Sequence, residues 1–137
     1  MAHAAHVSRF ARTFAAEPAD IDELGHVNNA VWVRWVQELS VAHWTAVASA
    51  ADQAAYVWVI TRHVIDYRGN LAEGGRVTGE TWVPAPPRGA RFDRHCRFVG
   101  ADGRVLVEGV TTWAMLDRAT GRLARVRPEM AALFLER

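Results

Sequence analysis

DIDELGHVNNAVWVRW, residues 20–35, joins two unlike chemistries. Its first half carries Asp20, Asp22, Glu23, Gly25, His26, Asn28 and Asn29, whereas its second half is Val and Trp broken once by Arg34. Acidic or amide residues before an apolar-periodic run mark a helix start, because their side chains accept the free N–H groups of the first turn. Asp20, Asp22 and Asn28 each fit that capping role. The pattern then predicts a helix from Asn28 to Ser49. Arg34, Gln37, Glu38 and Thr45 share one stripe, interrupted by Val41, and Val31, Trp32, Trp35, Val36, Leu39, Ala42 and Trp44 cover most of the rest. A helix so widely apolar has to be covered by something.

The remainder of the chain reads mostly as strands. Residues 6–15 form a first strand with Val7, Phe10 and Phe14 as apolar points. β-Branched and aromatic residues mark 57–67, and Val77, Thr81 and Val83 alternate with Arg76, Thr78 and Glu80 across 76–84. In 91–99, Phe92, Cys96 and Phe98 share a face, which makes Cys96 a core residue. The turn GADG leads into 104–116 as a hairpin, and Pro128 opens a terminal helix over 128–136. Short links favour antiparallel neighbours, since parallel pairing needs long crossovers. The expected fold is α+β: a five-stranded antiparallel sheet wrapped round one long central helix, forming a single domain over residues 1–137.

Composition narrows the function classes. The net charge of +1 gives no reason to expect nucleic acid, and all 16 basic residues are Arg. One cysteine excludes an internal disulfide and suits a reducing compartment. The N-terminal MAHAAHVSRFARTF is not patterned as a signal peptide, and no apolar run approaches the ~18 residues of a membrane span. A cytoplasmic protein is expected. His26 has no second histidine at a ligand spacing, and His3 with His6 lies in a terminus expected to fray, so no metal and no cofactor are expected.

The helix start offers chemistry beyond capping. Its unpaired N–H groups and positive dipole end attract anions, including an oxyanion developing on a carbonyl. Asn28 and Asn29 stand where those groups should be, and Gly25 permits close backbone approach. Asp22, just upstream, has the reach to attack a carbonyl or to take a proton from water. Spacing leaves both roles open, and capping beside them.

DELGHVNNAVWVRWVQE, residues 22–38, resembles the signature of hot-dog fold acyl-CoA thioesterases of the 4-hydroxybenzoyl-CoA thioesterase type. That signature is an Asp, a Gly three residues later and an aromatic-rich helix carrying an acid, matched here by Asp22, Gly25 and Glu38. IDYRGNLAEGGRVTGETWV and DRATGRLARVRPEM are similar to further parts of that family, and HVNN to the plant acyl-carrier-protein thioesterases. Leu24 stands where the plant enzymes have Asn, and 54–65 holds no acid, which points away from that branch. The resemblance implies Asp22 as the catalytic carboxylate, backbone N–H near Asn29 on the thioester carbonyl, and His26 in a supporting role. It implies an acyl-CoA substrate and a homodimer or homotetramer with sites between subunits, while the charge balance and the lack of a long apolar run leave no nucleic-acid or membrane partner expected. Substrate contacts are expected at Gly25 and Asn28, with CoA phosphates met by Arg88 and Arg91, or by Arg122, Arg125 and Arg127. A non-catalytic acyl-CoA binding or sensing domain is the alternative.

Overall fold

The computed structural model describes residues 8–135, so His3, His6, the start of the expected first strand and the last two residues lie outside it. The order is β1 (Arg9–Ala15), a 3-10 turn (Pro18–Asp20), α1 (Asn29–Val47), α2 (Ala50–Ala55), β2 (Tyr56–Tyr67), β3 (Arg76–Trp82), β4 (Arg91–Gly100), β5 (Val105–Asp117) and α3 (Pro128–Ala131). The strands form one antiparallel sheet in the order β1-β3-β4-β5-β2, leaving β1 and β2 at its edges. This is the hot-dog arrangement, with α1 cradled by the sheet.

The apolar periodicity acts as expected. Val31, Trp32, Trp35, Val36 and Leu39 are buried, whereas Arg34, Gln37, Glu38, Val41 and Thr45 form the exposed stripe. Trp32 and Trp35 meet Phe14 from β1 and Phe98 from β4, with ring centroids 5.4 Å apart for both Phe14–Trp35 and Trp32–Phe98. Aromatic pairs at such spacings add to the stabilisation from area burial alone. A second cluster surrounds the other end of α1, where Val47, Ala48, Phe92, Trp113 and Phe134 are buried together.

Two elements differ from the sequence reading. The helix expected to reach Ser49 stops at Val47: Ala48 turns extended, and the Ser49 hydroxyl accepts the Asp52 N–H (3.1 Å) to start α2. The terminal helix is a single turn, after which the chain returns to the sheet through a parallel bridge between Leu135 and Val83.

Leu39 is fully buried between α1 and the sheet. Leu39→Ala is expected to cost about 2–5 kcal/mol, checked by urea unfolding of the two proteins side by side.

Candidate active site at the head of the central helix

The loop from Asp20 to Asn28 is held by its own acids. The Ile21–Val27 bridge closes it, the Asp22 N–H donates to the His26 carbonyl (2.8 Å), and Gly25 takes a positive φ of 80° at its tip. Only glycine enters that region without strain. Asp22 Oδ1 accepts the backbone N–H groups of Leu24 (2.9 Å) and His26 (3.1 Å). One oxygen of the carboxylate thereby fixes the loop, and His26 holds Asp22 through its backbone. Asp22 and His26 are both partly exposed.

Asn28 is the helix cap: its Oδ1 accepts the Ala30 N–H (2.9 Å) and its carbonyl the Val31 N–H (2.9 Å). The Asn29 N–H, in that same first turn, has no acceptor among the described residues. The Tyr67 hydroxyl, from the edge strand β2, donates to the Asn29 carbonyl (3.4 Å). Burial pushes that hydroxyl above its ordinary range.

Asp20 does different work from Asp22. It is buried, its Oδ2 accepts the Glu17 N–H (2.9 Å), and its Oδ1 pairs with Arg34 (3.0 Å). Its carbonyl takes the Asn28 N–H (2.9 Å), so Asp20 ties the incoming turn to both the cap residue and the helix. The Glu17 N–H, followed by Arg34, holds its carboxyl below the usual value. By sequence position Asp20 and Asp22 are equal candidates for capping; the fold makes Asp20 the anchor and leaves Asp22 on the loop.

Arg88 and Arg91 do not join this site within one chain. They close a tight turn at the start of β4, each N–H bonded to the other's carbonyl (2.7 and 3.1 Å). The Asp20–Asn28 loop joins the opposite end of the sheet, where Val27 bonds Leu71 just beyond β2 (2.9 Å). β4 runs ten residues between those ends, about 30 Å. Arg88 also pairs with Asp93 (3.3 Å) and helps Thr112 hold that carboxyl low. Cys96 is buried, and burial pushes its thiol up to about 11, which leaves it protonated at neutral pH. Among the described residues no group of three His, Cys, Asp or Glu is placed to hold a metal ion, and no helix is long and apolar enough to cross a membrane.

A family model for the thioesterase-like superfamily matches residues 16–134. No curated protein matches the chain. Among solved structures, the chain is similar to a DHNA-CoA thioesterase from Staphylococcus aureus (15% identity, TM-score 0.76, 85% of this chain and 80% of that one). A Staphylococcus aureus protein solved in complex with CoA is similar at 14% identity and TM-score 0.79, over 96% of this chain and 85% of that one. A 12:0-ACP thioesterase from Umbellularia californica matches at 18% identity and TM-score 0.79, over 97% of this chain and 53% of that one. These likenesses show the shared fold.

Because the folded pKa of Asp20 lies below its ordinary 3.8, ionisation stabilises the native state above that value. The stabilisation is lost as pH falls through the lower folded pKa. Asp20→Asn is therefore expected to be less stable than wild type at pH 7 and to show a shallower loss of stability below pH ~4, read from thermal melts across that range.

Proposed function

The chain belongs to the thioesterase-like superfamily and is a thioester hydrolase, and we propose that it cleaves acyl-CoA esters with Asp22 and the head of α1. The observation that carries this reading is the pairing of a loop carboxylate, fixed through one oxygen, with a first-turn N–H left without an acceptor. The thioester carbonyl lodges at the Asn29 N–H, where the helix dipole favours the charge growing on oxygen. Gly25 lets the acyl-CoA pass close to the backbone, and Asn28 shapes the cap beside it. Asp22 either takes a proton from the attacking water or attacks the carbonyl itself to form an anhydride that water then opens. In both cases the carbon–sulfur bond breaks and CoA leaves as the thiolate. His26 positions Asp22 through its backbone N–H.

The substrate carrier is inferred from the neighbour bound to CoA and from the motif. A homodimer or homotetramer, with β2 edges facing each other, suits the exposed Val59, Val64 and Tyr67 on that edge strand. Arg88 and Arg91 then serve CoA phosphates only from another subunit, since their own chain places them at the far end of the sheet. A cytoplasmic setting suits the free, buried Cys96. Hydrolysis is favoured over a non-catalytic acyl-CoA binding domain because the family model that matches the chain is that of the thioesterase-like superfamily.

Asp22→Asn keeps an oxygen acceptor for the Leu24 and His26 N–H groups but removes the base. It is expected to lower thiol release from a panel of acyl-CoA esters by about a hundredfold or more, with the fold unchanged by circular dichroism. Wild-type turnover in that variant overturns the assignment. His26→Ala retains the backbone N–H and is expected to keep the wild-type pH–rate profile.

A further inference from the structure

Tyr67 ends β2 on the face turned toward α1, and its backbone is well held. The strand register sets it opposite Val107, which is wholly buried. The next two N–H groups, of Arg68 and Gly69, both donate to the Leu106 carbonyl (2.8 and 3.0 Å). Leu71 then accepts the Val27 N–H (2.9 Å), so the segment that follows Tyr67 also carries the loop of Asp22. Ile65, two residues back on the same face, packs against the core around Trp32 and Phe98.

The side chain is held far less firmly. Tyr67 is 42% exposed, and its hydroxyl makes one hydrogen bond among the described residues, to the Asn29 carbonyl at 3.4 Å. That is long for a hydroxyl donor, whose bonds to oxygen centre at about 2.8 Å. The acceptor is also already served, because a helix that begins at Asn29 gives that carbonyl the Val33 N–H. The hydroxyl is therefore a surplus donor, and it stands against the residue whose own N–H has no acceptor among the described residues. Burial raises its pKa, so it keeps its proton at neutral pH.

We propose that the Tyr67 hydroxyl is a second donor to the thioester carbonyl oxygen, exchanging the Asn29 carbonyl for the substrate and joining the Asn29 N–H there. This rests on the hydrolase reading of the helix head. Two donors on one oxygen share the charge that grows as the carbonyl carbon turns tetrahedral, and the second of them comes from the edge strand. The phenol donates a hydrogen bond and keeps its proton, so Asp22 remains the group that acts on water or on the acyl carbon. The exchange gives up little, since the contact broken is long and the Asn29 carbonyl keeps Val33.

Tyr67→Phe removes the hydroxyl and keeps the ring. With the acyl-CoA that wild type turns over fastest, kcat is expected to fall by about tenfold or more, and KM to rise by a smaller factor. The thermal midpoint is expected to stay unchanged, because the hydrogen bond lost is long and exposed. Two stable analogues with the same acyl chain give a readout free of turnover. One is a dethia ketone, in which a methylene replaces the sulfur and the carbonyl remains; the other is a thioether, which has no carbonyl. Tyr67→Phe is expected to bind the ketone several-fold more weakly than wild type does and the thioether equally well. Unchanged kcat in Tyr67→Phe overturns the proposal, as does an equal loss of affinity for both analogues. Loss of thiol release in Asp22→Asn but not in Tyr67→Phe removes Tyr67 and leaves the hydrolase reading in place. Wild-type turnover in Asp22→Asn, with the ketone still weakened in Tyr67→Phe, removes Asp22 and keeps the second donor.

Discussion

The packing of α1 against the concave face of the sheet supports everything else in this fold. Trp32, Trp35 and Leu39 fill the space between the helix and Phe14 and Phe98, and these residues are almost wholly withdrawn from water. Interiors packed at crystal-like density resist displacement, so a helix held this way presents its first turn in a fixed place. Asp20 and Arg34 then secure the chain that enters it.

The two ends of the helix offer opposite solutions to handling charge. At the head, the loop carboxylate of Asp22 stands partly in water. At the tail, Arg94 is sealed among aromatic rings beside His43 and Thr81. Burial lowers the proton affinity of Arg94 to about 10, which still leaves it a cation at neutral pH. One helix separates the two by most of its length.

The edges of the sheet add a further constraint. β2 is long, pairs only with β5 among the described residues and exposes Val59, Val64 and Tyr67. Tyr67 also touches the carbonyl of Asn29, so the edge strand and the helix head are physically continuous.

Much of the architecture was legible in the chain itself. The 3.6-residue period of α1 and the two-residue period of β3 and β4 follow from local rules, because backbone geometry converts spacing directly into facing, whereas the choice of Asn28 as the cap over Asp20 and Asp22 came from the fold. The same alternation placed Arg94 inward between Phe92 and Cys96, yet a charged residue reads as solvated until the fold shows what covers it. What only the tertiary structure decided was which acid anchors and which remains at the loop, that Arg88 and Arg91 lie at the far end from Asp22, and that Arg94 is sealed beside His43 and Thr81. Those are relations between residues distant in sequence. Local periodicity fixes the direction a side chain takes, but burial and hydrogen-bond supply depend on which strands become neighbours.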